Sequence, residues 1–190
     1  MTLSKWTLDS NHSEIIFKVK HLMIATVTGY FLKFSVDAEA DDEDFSKFQK
    51  IVFLADANSI STNNEQRDKH LKSADFFDVI NYPAIVFTAT EFKNGVNGEL
   101  VGQLTMKGIT KPVSIEVEFG GFTVDAYGQR KAGFSFHGKL SRKEFGLTWD
   151  SVTEAGNVVV SDEVKFQGEI ELIKTVVETS TIKEKETVHL

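Results

Sequence analysis

Residues 66–78 read QRDKHLKSADFFD and place a strong base, an imidazole and two adjacent aromatic rings close together. Arg67 can donate hydrogen bonds to an anion, and the His70 imidazole is a possible acid or hydrogen-bond partner. Phe76 and Phe77 offer apolar surface. An active site, a metal site and the rim of an apolar pocket could all use these side chains, so the rest of the sequence must decide among them.

The stretch has the pattern of a short helix. Thr62 followed by Glu65 predicts a capping box at its start, and Asp68 with Lys72 predicts an ion pair on its solvent face. Tyr82-Pro83 then returns the chain to an extended conformation. We therefore expect a helical connection between two strands, placed over the end of whatever the strands build.

Two interpretations of this segment stay open. In one, Phe76 and Phe77 meet the apolar part of a ligand while Arg67 or His70 binds its polar head. In the other, Arg67 pairs with a local carboxylate, Asp75 or Asp78, and the two aromatic rings only complete a core.

The sequence predicts no metal site and no catalytic residue. None of the five histidines lies in an HxH or HExxH arrangement, although His12 and His21 could still meet a carboxylate in space. The run GFSFHG around Ser135 lacks the strand-to-helix turn of a nucleophile elbow. Neither a phosphate-binding loop nor a dinucleotide glycine pattern is present, so no cofactor is predicted and enzyme activity is not expected.

Most of the chain alternates apolar and polar residues with the period of two that indicates β-strands. Turn signals such as Asn94-Gly95 and Gly120-Gly121 separate the alternating segments. Eight strands are predicted: residues 13–21, 25–36, 49–55, 84–92, 100–107, 113–119, 132–140 and 164–172.

Eight antiparallel strands with one apolar face can cover that face by closing into a barrel, which also removes exposed edges. The predicted fold is all-β: an eight-stranded antiparallel lipocalin-like barrel with a short helical cap. A barrel of this size can be filled by side chains or hold one small ligand. Four glycines fall on the inner face, where each either lets the sheet bend or leaves room for a guest; they are Gly29, Gly102, Gly138 and Gly168.

Composition limits the partners. The chain has 190 residues, a net charge of -7, a pI near 5.3 and no cysteine. These values favour a single domain and argue against a nucleic-acid partner, general attraction to anionic membranes, disulfides and thiolate metal sites. No segment approaches the roughly twenty apolar residues of a membrane span, and the N-terminal residues lack a signal-peptide core, so we expect a cytoplasmic protein.

Inward parity predicts the residues that line the barrel. His21 continues the parity of Phe17 and Val19, and it either binds a ligand head or is a core histidine bonded within the protein. Together with the cap, the predicted ligand-binding residues are Phe17, Val19, His21, Phe31, Arg67, His70, Phe76, Phe77, Phe87, Leu104, Met106, Val117, Phe134, Phe136 and Phe166. The other basic candidates for a polar head, most of which we expect to be simply solvated, are Lys72, Lys107, Lys111, Arg142 and Lys143.

Several sequence blocks, in order, resemble the YceI-like family, also called the bacterial polyisoprenoid-binding or lipocalin-like family. They are WTLDSNHSEIIFKVKHLMIATVTGYF, RDKHLKSADFFDVINYPAIVFTAT, LVGQLTMKGITKPVSIEV, KLSRKEFGLTW and SDEVKFQGEIEL, which together span roughly residues 3–174. The resemblance implies an elongated barrel whose tunnel holds a long amphiphile, such as a polyisoprenoid, an isoprenoid quinone or a fatty amide. It also implies that a homodimer is possible and that many relatives are periplasmic.

The sequence thus predicts a lipid-binding barrel over residues 1–174 and an extension over residues 175–190 outside it. The expected function is non-covalent binding, transport or sequestration of a long-chain amphiphile. The alternative is an enzyme acting on a lipid-like substrate in the same cavity.

Overall fold

A computed structural model describes residues 3–151 and 159–175. The strands are β1 (Leu3–Leu8), β2 (Glu14–His21), β3 (Ala25–Phe31), β4 (Phe34–Asp41), β5 (Phe48–Asp56), β6 (Ile60–Ser61), β7 (Ala84–Lys93), β8 (Glu99–Met106), β9 (Ile109–Val124), β10 (Arg130–Ser141) and β11 (Val160–Thr175). The helix α1 spans Glu65–Lys72, and two short 3-10 turns span Ala57–Ser59 and Lys143–Phe145. The extension predicted from residue 175 onward lies, apart from Thr175 itself, outside the described residues.

The eleven segments form eight antiparallel strands of a closed barrel. β1 and β2 lie end to end along β11, with Trp6 opposite Lys174 and Phe17 opposite Phe166. β3 and β4 run back along them, and β5 with β6 follows. Single strands β7 to β11 complete the ring in chain order. The predicted fold class is confirmed, and so is the helical connection, since α1 joins the third strand to the fourth.

The first two strands are longer than predicted, and each is interrupted. The sequence missed β1 and the break after Phe31, because both interruptions depend on other parts of the chain. At residues 9–13, Asp9 accepts a hydrogen bond from the Asn11 backbone at 3.1 Å, as expected of an aspartate in a turn. At residues 32–33, both backbone N–H groups donate to Ser59.

The barrel has two different ends. One carries α1, the β2–β3 turn and residues 142–151, and we call it the helix end. The other, the far end, carries residues 42–47 and the β9–β10 turn. Phe45 plugs the far end: it is 2% exposed, and its ring lies 5.6 Å from Trp6 and 4.8 Å from Phe134. Packed aromatic rings therefore close the far end.

The start of α1 differs from the predicted capping box. Asn63 takes a left-handed φ of 58°, which asparagine tolerates, and the helix starts after the next residue. Asn64 is the N-cap, and its side chain accepts from the Arg67 backbone N–H at 2.9 Å. Asp68 accepts from both the backbone and the hydroxyl of Thr62. The predicted pairing of Asp68 with Lys72 is wrong for that reason.

The inward glycines make room for aromatic rings of the wall itself. A Cβ at any of the four would overlap a phenyl ring of a neighbouring strand, in the pairs Gly29 with Phe17, Gly102 with Phe87, Gly138 with Phe166, and Gly168 with Phe136. Gly138 and Phe166, for example, lie directly opposite each other on β10 and β11. The space that each glycine leaves is thus used by the protein, and a ring lies flat along the barrel wall.

Within the described residues, no helix combines the length and the apolarity needed to cross a bilayer.

Candidate ligand-binding cavity

The barrel encloses a cavity of about 520 Å³, within the range of small-molecule sites. Its lining runs along β11 from Val160 to Leu172, roughly 40 Å of extended backbone, so the cavity is elongated. Every residue predicted to bind ligand lies on it: Phe17, Val19, His21, Phe31, Arg67, His70, Phe76, Phe77, Phe87, Leu104, Met106, Val117, Phe134, Phe136 and Phe166. That these residues contact a ligand stays a prediction.

The polar side chains of the lining gather at the helix end. Among the described residues they are His21, Thr62, Arg67, His70 and Arg142, while the Nζ of the nearby Lys20 donates to the Thr26 hydroxyl. The far end of the same cavity is lined by apolar groups such as Phe45, Phe134 and Leu172. The cavity is therefore itself amphiphilic, with hydrogen-bond donors at one end and hydrocarbon at the other.

Arg67 lies at the polar end with part of its guanidinium uncommitted. Its Nε donates to the Thr62 hydroxyl at 2.7 Å, and one terminal nitrogen donates to the Thr62 carbonyl at 2.9 Å. The predicted alternative, a pair with Asp75 or Asp78, is wrong, because Asp75 contacts His70 and Asp78 accepts from Asn81. Within the described residues Nη1 has no hydrogen-bond acceptor, so it can still donate to a ligand.

His70 belongs to an aromatic group that borders the cavity. Its Nε2 lies 3.0 Å from the Asp75 carboxylate, and its ring lies 5.1 Å from Phe76 and 4.9 Å from Trp149. Phe76 is 6% exposed, whereas Phe77 is partly buried against Phe31, at 6.0 Å between ring centres. The cap predicted from residues 66–78 thus presents both aromatic surface and an imidazole to the cavity.

His21 lies at the mouth of the cavity and is exposed. It is opposite Ala25 on β3 and Val160 on β11, at the ends of all three strands. The alternative of a core histidine is wrong, because the strand ends where His21 emerges from the barrel.

Arg142, which the sequence predicts as one of several basic candidates for a polar head but not among the ligand-binding residues, also lines the cavity. It is 3% exposed and donates to the backbone carbonyls of Ser161, Leu147, Trp149 and Val160. Burial lowers the pKa of its guanidinium from the usual value. With so many of its donors bound to the protein, Arg142 fixes the polar end in place and is a poorer candidate than Arg67 for a ligand head.

Phe45 and Trp149 were also missed. Each stands alone in a connection, outside any alternating pattern, so strand parity gives no direction for its side chain. A signal was present for Phe45, because it is the one large apolar residue within the acidic run DDEDFSK. Such a residue in a polar turn is commonly anchored in the core.

One cluster outside the cavity has metal-binding residue types. Ligand atoms of Asp9, His12 and Glu171 lie within 4.8 Å of one another. The Lys131 ammonium occupies this cluster, 2.6 Å from Asp9 and 2.8 Å from Glu171. Hydrogen bonds from Lys131 and His12 lower the pKa of Asp9, and those to Asp9 and Glu171 raise the pKa of Lys131. The cluster therefore already holds a cation. His12 and His21 do not meet at a carboxylate, because His21 lies at the other end of the barrel.

Comparisons with known proteins agree with this architecture. The model of the YceI-like domain matches residues 6–172. UPF0312 protein SA2479 of Staphylococcus aureus strain N315 is 36% identical over 170 residues, covering 89% of this chain and 97% of that protein.

Solved structures of YceI-like proteins are also similar to this chain. The YceI protein of Campylobacter jejuni is similar with a TM-score of 0.71 and 31% identity, over 83% of this chain and 90% of that one. A domain from Saccharophagus degradans, described as polyisoprenoid-binding, has a TM-score of 0.67 at 13% identity, over 92% and 100% of the two chains, and shares the fold. The match to the domain model and the identity to the staphylococcal relative over nearly the whole barrel show that the chain belongs to the YceI-like family.

Proposed function

We propose that the protein binds one long-chain amphiphile non-covalently inside its barrel and acts as a carrier or a sequestering protein. The observation that carries this proposal is the polarity of the cavity. Its wall is apolar from the far end upward, and its donors lie together at the helix end. A chain with a polar head at one end fits that arrangement in a single orientation.

Burial of the chain supplies enough free energy for such binding. Each methylene removed from water contributes about 0.8 kcal/mol before ordering costs are subtracted. The walls alone can therefore hold a chain of several isoprene units, while Arg67 and His70 set its direction.

The ligand classes we propose are a polyisoprenoid, an isoprenoid quinone and a fatty amide. Each combines a long apolar chain with a head that can accept a hydrogen bond from Arg67. The description of the Saccharophagus degradans neighbour as polyisoprenoid-binding supports the first of these.

Binding without turnover is the proposed activity. Two of the ionisable groups at the polar end are engaged by protein partners: His70 by Asp75, and Arg142 by four backbone carbonyls. Membership of the YceI-like family is also in keeping with binding. We expect a bound ligand to be recovered chemically unchanged.

Mass spectrometry of an organic extract of the purified protein tests the proposal directly. A single long-chain amphiphile at about one per protein is the expected result. Titration with geranylgeraniol, followed by intrinsic fluorescence because Trp149 lines the cavity, should then show saturable binding at one site. An extract without lipid together with no saturable titration would contradict the proposal, and conversion of geranylgeraniol during incubation would point to an enzyme.

A further inference from the structure

The β2–β3 turn, residues 21–24, has an unusual combination of backbone and side chains. Leu22 and Met23 both take left-handed φ values, 50° and 58°, and the Ile24 N–H donates to the His21 carbonyl at 3.2 Å. Two consecutive left-handed residues favour Asn-Gly in such a hairpin turn, because other side chains are strained there. A leucine and a methionine thus occupy positions that disfavour them.

The apolar side chains of this turn are not buried in a core, so packing does not offset the backbone strain. Met23 is 62% exposed and Ile24 is 85% exposed. The strained backbone lowers stability, and side chains this exposed contribute little burial energy in return, so the folded barrel alone gives no reason for either residue. Burial of this apolar surface against a partner would explain why these residues are present.

The turn lies beside the mouth of the cavity. His21 and Ala25, on either side of it, line the cavity, and the Leu22 N–H donates to the Val159 carbonyl at 2.9 Å. Ile80, in the connection that follows α1, is 90% exposed at the same end of the barrel. Exposed apolar side chains therefore flank the opening through which a ligand would pass.

Positive charge lies behind the turn, although the protein carries a net charge of -7. Lys18 on β2 and Lys165 on β11 are directly opposite each other, an unfavourable pairing of like charges. Both alternate with lining residues and so face outward, and within the described residues neither forms an ion pair. On the same sheet Lys139 does find a carboxylate, Glu163, at 3.5 Å.

The separation between the turn and the two lysines fits docking on a lipid surface. Lys18 is three residues from His21, roughly 10 Å along the strand. Apolar side chains of interfacial proteins reach about 5–10 Å into the boundary between head groups and acyl chains. With Met23 and Ile24 inserted to that depth, Lys18 and Lys165 lie near the lipid phosphates.

We propose that the β2–β3 turn docks this protein on the surface of an anionic lipid bilayer, with the cavity mouth facing the membrane. The role of this contact rests on the proposed function, since docking would let a long-chain ligand move between bilayer and barrel without crossing water. The net negative charge opposes general attraction to such a surface, so insertion of the turn is required together with the local lysines.

Flotation with vesicles of phosphatidylglycerol and phosphatidylcholine in equal parts tests the docking. We expect the unaltered protein to bind and the variant Met23→Gly/Ile24→Ser to bind at least about tenfold more weakly, the effect of losing a buried apolar side chain. Because glycine relieves the strain at residue 23, the melting temperature of the variant should not fall. Tyr127→Ser is the matched control: Tyr127 is 90% exposed in the turn at the far end, and its loss should leave flotation unchanged.

A second variant separates charge from insertion. Lys18→Gln/Lys165→Gln should lose the preference for phosphatidylglycerol while keeping the same affinity for vesicles of phosphatidylcholine alone. Equal flotation of the unaltered protein and Met23→Gly/Ile24→Ser, or no flotation of the unaltered protein, would overturn the docking proposal. A dimer that the same turn variant dissociates would also overturn it, because the turn would then contact a second copy.

Geranylgeraniol titration without vesicles distinguishes the two proposals. Met23, Ile24, Lys18 and Lys165 are outside the cavity lining, so their variants should bind geranylgeraniol as the unaltered protein does. The expected result is unchanged geranylgeraniol binding by both variants, with weaker vesicle binding by Met23→Gly/Ile24→Ser and loss of the phosphatidylglycerol preference by Lys18→Gln/Lys165→Gln. Geranylgeraniol binding by a protein that never floats would refute docking alone, and flotation without geranylgeraniol binding would refute the proposed ligand alone.

Discussion

In the proposed function one side chain, Arg67, serves both the fold and the ligand. Its Nε and one terminal nitrogen hold Thr62, which in turn holds Asp68 on the helix. Arg67 also lines the cavity, and within the described residues its other terminal nitrogen has no hydrogen-bond acceptor. An arginine suits this double task because its donors are fixed in a plane and stay charged at any ordinary pH.

Arg67→Ala should weaken the binding of hexadecanoic acid by more than about 1 kcal/mol, the scale of a charge-assisted hydrogen bond, and leave the binding of hexadecane unchanged. Competition against bound geranylgeraniol measures both affinities. Lys69→Ala is the control, since Lys69 is an exposed cation on the same helix that does not line the cavity. Equal losses for the acid and the hydrocarbon would mean that Arg67 only holds Thr62 and the cap.

Leu104 tests the apolar wall. It is 8% exposed on β8, and its neighbour Gln103 points outward. Leu104→Glu should abolish geranylgeraniol binding and lower the free energy of unfolding by about 3 kcal/mol, because it places a carboxylate in a hydrocarbon cavity. Gln103→Glu adds the same charge on the outer face and should change neither quantity. Fluorescence titration and urea unfolding of both variants measure this, and full binding by Leu104→Glu would show that the cavity is not where the ligand lies.

At the scale of the strands, alternation was sufficient to predict the barrel and the direction of its side chains. Because alternate residues of a strand point to the same face of the sheet, the apolar set identifies the inner face. Residues such as Phe17, Val117 and Phe166 could therefore be assigned to the interior without coordinates. The interruptions could not be predicted. The bend at residue 9 is held by Lys131, and the break at residue 32 is held by Ser59, and neither partner is near in sequence.

The connections were harder to predict than the strands. Arg142, Trp149 and Phe45 lie in segments without a regular period, and their directions depend on contacts formed only after the barrel closes. The start of α1 was misplaced for a similar reason, since the left-handed turn at Asn63 delays the helix beyond the residue that a capping box would select.

The glycine–phenylalanine pairs give a prediction about strands. Gly138→Ala puts a Cβ into the Phe166 ring and should lower the free energy of unfolding by about 1–3 kcal/mol, the usual cost of overpacking. Gly133→Ala, on the same strand, meets nothing within 4 Å and should be neutral or slightly stabilising. Urea unfolding compares the two.

Replacing the ring should rescue the first variant. Gly138→Ala/Phe166→Leu leaves space for the added methyl group and should lose less stability than the sum of the two single changes. Additive losses would show that Gly138 is needed for the bend of β10 and not for the ring beside it.

For the molecule as a whole, the two ends have separate tasks. The helix end carries the mouth, the polar groups and the exposed apolar turn, whereas polar bonds around the aromatic plug tie the far end shut. Lys174 pairs with Asp42 at 2.7 Å, and Arg130 donates to the Asp42 carbonyl at 2.8 Å. Nearby, Lys131 joins the bend after β1 to β10 and β11 through Asp9 and Glu171. In the proposed function, the ligand exchanges through the helix end while the far end stays closed.

The Asp9 and Lys131 cluster should make the stability of the closed end depend on pH. The pKa of Asp9 is lowered by folding, so its contribution is complete above its unfolded pKa of about 4 and is lost as the pH falls toward the folded value. The pKa of Lys131 is raised, so its contribution is complete below about 10.4 and is lost as the pH rises further. Between these limits both contributions are present.

Asp9→Asn should therefore lower the free energy of unfolding at pH 7 by about 2 kcal/mol, the scale of a hydrogen bond to a charged group. The difference from the unaltered protein should narrow below about pH 4, where Asp9 takes up a proton in the unfolded chain while it stays ionised in the folded barrel. Urea unfolding across the acid range measures it. Asp44→Asn is the control, because its ion pair with Lys47 is solvent-accessible and an asparagine oxygen can still accept the hydrogen bonds from Ser46, so the change should cost less than about 1 kcal/mol. A difference that stays constant down to pH 2 would mean that the shape of the Asp9 side chain, and not its charge, holds the bend.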